Sequence, residues 1–349
     1  MLSPANSARG KLLSQYVCVR VIRMDDVDVN LFEYDRNNPL YFFLMNADEQ
    51  IYARYGGRDS AAVDSYLNLD SLELALAKGL ELHGQWRKGE WKSATPRPAP
   101  KFPREYPLLV QRTFAQGQCV ECHLIGDYQN IHRQLDGTLD KRKHLWRSPD
   151  FKVIGITLDI PKGLVVKQAA GEAAAAGLMA GDVIRSWNGA RVWTFADAQY
   201  AHDMLDRAAR EVKVVVERGG AEREITIQLP LRWWLTDVRW RQSSVDPRVY
   251  FDDRPLTEAE KRERNLPAES FASMVRRVAD MARLMKTHEL AVGDVIVAVN
   301  GVDRDPDANT AELYLRLRTK PGDTVQLDVL RGGERIKVPL RSLQMSFRK

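Results

Sequence analysis

The 349-residue sequence predicts an α+β, multidomain chain in which a partial α/β domain precedes two β-rich domains. Three observations carry that expectation. The string Gly181-Asp182-Val183-Ile184 returns as Gly293-Asp294-Val295-Ile296. Each copy is followed, seven residues after its glycine, by Asn-Gly (Asn188-Gly189; Asn300-Gly301), and later by Arg-Gly-Gly (Arg218-Gly219-Gly220; Arg331-Gly332-Gly333). Asn-Gly and Gly-Gly between apolar runs mark hairpin turns, because both central residues need positive φ. The third observation lies near the N-terminus, where short β-branched and aromatic runs give way to a helical stripe at Leu72, Ala75, Leu76, Leu80 and Leu82.

Composition narrows the function classes. With 44% hydrophobic residues and eight tryptophans the chain has material for real cores, which excludes a wholly disordered protein. The net charge of +5 comes from 52 basic and 47 acidic residues, a mixed surface without any nucleic-acid-binding motif, so no nucleic-acid partner is expected. No apolar run reaches the length of a transmembrane segment. Three cysteines rule out a disulfide scaffold. The first thirteen residues lack the apolar stretch of a signal peptide, which taken literally means a cytoplasmic protein.

Along the chain, residues 11–57 read as β, short helix, β, β. The run Tyr16-Val17-Cys18-Val19-Arg20-Val21 is the first strand, and inside it Cys18 is expected to be an inert core thiol. Pro39 precedes a strand over 40–44, Asn46-Ala47-Asp48-Glu49 turns, and a strand over 51–57 follows. A helix is expected over 71–83. This order resembles the second half of a thioredoxin-like domain, which implies a cis bond at Pro39. The resemblance also places that fold's redox Cys-x-x-Cys ahead of the Cys18 strand, where only residues 11–15 remain. The partial domain is assigned to residues 1–90.

Residues 91–147 form a proline-rich linker (Pro96, Pro98, Pro100, Pro103) and then Cys119-Val120-Glu121-Cys122-His123. Cys-x-x-Cys-His is the attachment motif of haem c: two thioethers hold the macrocycle and the histidine is directed at the iron. His132, His144 or a methionine would then supply the sixth ligand. Two alternatives stand beside haem. One is a zinc site of Cys119, Cys122 and His132 or His144, with His123 strained against joining it. The other is a redox dithiol or a plain reduced pair.

The two repeats occupy residues 148–231 and 232–345. Their order of strand, small-residue helix, Gly-Asp-x-Ile and Asn-Gly hairpin, second helix and closing hairpin resembles the bacterial PDZ domain. In the first copy Val153-Ile154-Gly155-Ile156 stands where that family binds a peptide carboxylate, through successive N–H groups brought together by a glycine. The peptide is then expected to add as a strand beside residues 156–158. It would rest a side chain on the helix over 194–207, whose Ala198, His202 and Leu205 share one face. The peptide-binding set is therefore Ile154, Gly155, Ile156, Ala198, His202 and Leu205. The second copy has no glycine from Leu231 to Val292, and Glu289 stands where the first has Gly177. Its loop is expected at Arg264-Asn265-Leu266, with Asn265 left-handed, and its role is expected to be structural. Trp233, Trp234 and Trp240 are expected to pack between the copies, and residues 258–264 to form a solvated helix.

No Gly-x-Ser-x-Gly occurs, and His288-Glu289 lacks the second histidine of a zinc protease, so no hydrolase is expected. The combination resembles a bacterial family of exported thioredoxin-like/PDZ proteins, some with selenocysteine. That resemblance implies a periplasmic protein whose signal peptide and redox motif lie upstream of Met1. The expected function is binding of peptides or protein C-termini, coupled to a redox or haem centre. Its rivals are an electron-transfer or thiol-redox protein that the PDZ domains merely localise, and a structural scaffold.

Overall fold

A computed structural model describes residues 4–93, 96–238, 240–241 and 243–344. The chain divides into two compact units, Met1–His132 with Arg142–Arg241, and Arg133–Lys141 with Gln242–Lys349. The first unit thus holds residues 1–90, the Cys-x-x-Cys-His motif and the first repeat, while residues 133–141 go with the second.

In that unit α1 (Ala8–Leu13) starts at Ser7, whose Oγ accepts from the Gly10 amide at 3.0 Å. Strands β1 (Tyr41–Met45) and β2 (Ile51–Gly56) form a hairpin, its turn held by the Asn46 side chain accepting from the Asp48 and Gln50 amides. Helix α2 (Leu69–Arg87), capped by Asn68, lays Leu72, Ala75 and Leu76 on Leu44, Ala53 and Tyr55. Hairpin and helix are where the sequence places them. Two neighbouring expectations fail. Residues 17–24 form no regular element and pair with nothing among the described strands, and Cys18 is exposed, not a core thiol. Val17, Val19 and Ile22 are 93%, 80% and 78% exposed. A β-branched run becomes a strand only beside a partner ladder, and here none is offered. The Pro39 bond is trans, since no peptide bond of the described chain is cis.

The proline-rich stretch is tied down: the Val29 amide donates to Lys101 O at 2.8 Å and Asn30 Nδ2 to Ala99 O at 2.8 Å. Three helices follow, α3 (Pro107–Arg112), α4 (Cys122–Leu135) and α5 (Lys141–His144).

The first repeat contains β3 (Ile156–Leu158), β4 (Val166–Ala169), α6 (Gly171–Ala175), β5 (Val183–Trp187), β6 (Ala190–Arg191), α7 (Phe195–Asp203), β7 (Glu211–Arg218) and β8 (Ala221–Gln228). Its strands run β6-β5-β7-β8, and the Val165–Val183 bridge joins this sheet to the β3-β4 pair. Trp233 and Trp234 are buried inside this unit, not between the copies: Trp233 Nε1 donates to Ala209 O at 3.2 Å, and Trp234 meets Trp146 edge-on.

The second unit repeats the plan with β9 (Phe251–Pro255), α8 (Glu258–Glu263), β10 (Ser273–Val278), α9 (Asp280–Leu284), β11 (Val295–Val299), α10 (Ala311–Arg318), β12 (Thr324–Arg331) and β13 (Glu334–Arg341). Its sheet order is β13-β12-β11-β10-β9, over a core of Phe271, Ile296, Leu315, Leu327 and Val329. The Asn-Gly and Gly-Gly pairs all take positive φ, as hairpin turns require. Among the described residues no helix is long and apolar enough to cross a membrane.

Candidate functional site

Both repeats are closed by the same ion pair. Arg218 grips Asp182 through Nε and Nη2, each at 2.6 Å, and Nη2 also donates to Gly177 O. Arg331 grips Asp294 at 2.8 and 2.7 Å, and its Nη2 donates to Glu289 O. The Met179 and Ala291 amides donate to the same carboxylates. Burial pushes each carboxyl up, but the arginine and the amide win and hold both below the usual range. Gly177 and Glu289 offer the same carbonyl, but the left-handed position that ends the helix is Gly177 (φ 90) in the first repeat and Lys286 (φ 50) in the second.

The strand–helix groove of the first repeat lies between β3 and α7. Among the described strands β3 pairs with β4 alone. The Ala170 amide donates to Gly155 O at 2.8 Å, so by antiparallel alternation Ile156 and Leu158 turn their backbone groups to the open edge. Gly155 has φ 85, and a Cβ there would sit 1.9 Å from Ala170 O, so only glycine fits. The expected nest of free amides is not formed in this conformation. The loop is a 3-10 turn (Phe151–Ile154) in which Val153 N donates to Asp150 O, Gly155 N to Lys152 O, and Lys152 N to the Asp150 carboxylate.

The predicted peptide-binding side chains come together, but inward. Ile154, Ile156, Ala198, His202 and Leu205 are all buried. Between the loop and α7 sits Phe151, stacked on Trp187 at 4.4 Å and edge-on to Phe195 and His202. Tyr66 stacks on Phe195 at 3.5 Å, and Gly57 backs onto Phe195 and Gln199. Burial, with help from Arg207, lowers His202 to about 3, so the ring is neutral. Nothing in the sequence marks Phe151 as the filler, because its role depends on contacts tens of residues away.

A cavity of about 250 Å³ opens beside the loop, lined by Arg58, Asp59, Asp150, Lys152, Trp240 and Arg241, among others. Lys152 is spent on Asp59 at 2.7 Å, and Arg58 and Arg241 flank the Trp240 ring. Its charges are balanced, so it does not replace the missing nest.

In the second repeat Tyr250 (φ 58), not Asn265, takes the place of Gly155: Ala279 N donates to Tyr250 O at 2.9 Å, just before β9. Asn265 is left-handed as expected (φ 52), but it ends α8 in the connection between β9 and β10. Here the helix is stitched to the strand. Asp253 on β9 accepts from Ser273 Oγ at 2.7 Å and from the Glu312 amide at 3.0 Å, while Ser273 Oγ accepts from Ala311 N. Asp246 binds Arg316 at 2.7 and 3.1 Å. At the other end of α10, Lys141 Nζ donates to the Arg316 and Thr319 carbonyls, the position where a cation complements a helix terminus. Burial raises Glu312 to about 7, against the pull of Arg316.

At the cysteine segment, Cys119 is exposed and Cys122 half-buried at the start of α4. No three His, Cys, Asp or Glu side chains among the described residues converge on an ion position. His132 stands ten residues along α4 from Cys122, ~15 Å at the helical rise, and packs on Tyr106. His144 belongs to α5, and its carbonyl accepts from Asn130. The proposed zinc set is therefore not assembled. Covalent haem also fits poorly. Cys119 has charged Arg23 within electrostatic reach, His123 turns to Glu121 at 3.3 Å, and α4 directs Leu124 and Ile125 into the unit instead of walling a slot beside the thiols.

No family model matches the sequence, and no curated protein matches it. Solved structures do. A variant of the HtrA-type protease AlgW with decapeptide is 15% identical over 48% of this chain and 50% of that one, with a TM-score of 0.28. A serine endoprotease from Yersinia pestis is 17% identical over 31% of this chain and 32% of its own, TM-score 0.21. The PDZ domain of EpsC from Vibrio cholerae is 18% identical, and 97% of it is covered by 28% of this chain, TM-score 0.17. The chain spans half or less of the two proteases' length. In each repeat the strand order, with an edge strand beside a helix, is consistent with the PDZ-like plan expected from the sequence.

Proposed function

We propose that this protein binds extended peptide or protein segments by strand addition at β3 and β9. One observation carries the reading: in each repeat a strand with a single partner runs near a helix, with alternate backbone groups facing the open edge. Phe151 fills the first groove and Asp253 ties α10 to the strand in the second, so the ladder can form on the free backbone groups of either edge, and a ligand side chain enters only when the filler or the stitch moves. Carboxylate capture in the first repeat requires the 3-10 turn at Phe151–Ile154 to unwind and release its amides. An exported location, implied by the family resemblance, belongs to this proposal and is checked by cell fractionation.

The test uses the full chain and a fluorescent library of extended peptides, each made with a free and an amidated C-terminus. N-methylation at alternate positions removes ladder hydrogen bonds and keeps the side chains, so it should abolish binding. Equal affinity for methylated and unmethylated peptides rules out strand addition. Preference for the free carboxylate appearing only in Phe151→Ala assigns C-terminus capture to the opened first groove.

A further inference from the structure

We propose that Cys119 and Cys122 are a reversible dithiol–disulfide pair that exchanges with disulfide-bearing peptides or small disulfides, Cys119 attacking first and Cys122 resolving. This inference does not depend on the peptide-binding reading. Two nucleophilic sulfurs three residues apart are reduced, and one of them is exposed. Three residues of chain, with Cys119 in the irregular segment just before α4, can fold the two Cα atoms to the ~4.4–6.8 Å that a disulfide spans. Among the described residues no third His, Cys, Asp or Glu converges on the two sulfurs, which leaves both available for thiol chemistry.

The surroundings divide the labour. Cys119 lies in the short segment between Gly117, left-handed at φ 66, and the helix start, open to a bulky partner. The Arg23 guanidinium, held by the Asp25 carboxylate, lies within electrostatic reach of this sulfur. Cys122 is shielded. It sits in the first turn of the 14-residue α4, with Glu121 O accepting from the Leu124 and Ile125 amides, and lies near the buried Tyr34 hydroxyl. A large disulfide reaches the first sulfur and not the second. The third cysteine, Cys18, is exposed and has no partner at this spacing, so it serves as an internal control.

The exchange balances as follows. Cys119, having lost its proton to solvent, attacks one sulfur of the partner disulfide. The S–S bond breaks, the released partner sulfur takes up a proton, and a mixed disulfide remains on Cys119. Cys122 loses its proton and attacks the Cys119 sulfur, expelling the second partner thiolate, which is protonated in turn. Two electrons pass from the pair to the partner: Cys119 and Cys122 end oxidised as a disulfide, and the partner ends as two thiols.

The experiment uses the full chain and oxidised glutathione, followed by alkylation and mass analysis. The wild type should lose both alkylatable thiols of the 119–122 peptide together without retaining glutathione, Cys18 should not join that disulfide, and dithiothreitol should restore both. Cys122→Ser should trap glutathione on Cys119. Cys119→Ser should form its adduct on Cys122 at least about tenfold more slowly, as its shielding requires. Equal rates at the two cysteines, two glutathione adducts in the wild type, or zinc or haem bound to these sulfurs in the purified protein overturns the proposal.

Discussion

Four residues before the left-handed position that opens the edge strand, the first repeat has Phe151 and the second has Asp246. Phe151 fills the space between loop and helix with an aromatic ring; Asp246 crosses to α10 and binds Arg316. The same exchange recurs two positions into the strand pair. Leu158 is a buried apolar side chain in the first repeat, and Asp253 with Ser273 anchors the helix amides in the second. One backbone plan therefore tolerates two ways of joining strand to helix. An apolar filler can be displaced by another apolar group, as a peptide side chain would be. A polar stitch leaves buried charge behind when it opens.

All eight tryptophans lie in the first unit, so indole fluorescence follows that unit alone, and far-UV circular dichroism follows both. The comparison can thus be attacked one repeat at a time. The largest effect is expected from Phe151→Ala, which empties a ring's volume from a closed core and should cost the first unit about 3–5 kcal/mol. Its fluorescence-detected denaturation midpoint should fall while the second unit's transition stays put. A loss below about 1 kcal/mol would mean that Phe151 fills nothing that matters.

Next in size are the paired closures. Asp182→Asn and Asp294→Asn each remove the charge that a bidentate arginine grips, and each should cost about 1–3 kcal/mol. Only the first should move the fluorescence transition. Unequal losses from the two substitutions would show that the matching geometry hides different energetics.

The pH responses should have opposite signs. His202 is lowered to about 3 in the folded unit, so the unfolded chain binds its proton more readily. Its contribution is full above about pH 6.5 and is lost as the pH falls toward 3, by at most about 1.4 kcal/mol per unit. Glu312 is raised to about 7, so its contribution is present below the ordinary carboxyl range and is lost as the pH rises through 7. His202→Phe should flatten the acid limb of the first unit, and Glu312→Gln the neutral limb of the second. Either variant leaving its slope unchanged refutes the assignment of that limb.

The smallest effect is expected from Tyr250→Gly. It relieves a left-handed tyrosine by about 1 kcal/mol, gives part of that back in backbone entropy, and should shift the second unit by a few tenths. The mirror change, Gly155→Ala, should be far more damaging, because its Cβ meets Ala170 O.

Much of the repeat was legible because hairpin turns are written locally. Asn188-Gly189, Asn300-Gly301 and the two Arg-Gly-Gly turns must take positive φ wherever they fold, so their spacing carried the strand order. The Asp182–Arg218 and Asp294–Arg331 grips were not, since 36 and 37 residues separate the partners. The second loop was misplaced for a related reason: a glycine search finds Gly155, but the matching position is a tyrosine. The cysteine segment shows the limit of motif reading. Cys-x-x-Cys-His is visible at once, yet whether thiols and imidazole converge depends on the direction of α4. Strand formation at residues 16–21 failed in the same way, because propensity belongs to one segment and pairing to two.

The exposed run from Val17 to Ile22 has a practical consequence. It is mostly apolar and β-branched, with no proline and with Arg20 as its one charge, and no described strand occupies its backbone edges. Such a segment is a template for its like, and purified protein should form concentration-dependent, thioflavin-positive assemblies that start there. Replacing Val19 with lysine puts a second charge into the run and should lengthen the lag before assembly, while Trp fluorescence of the dissolved fraction stays unchanged.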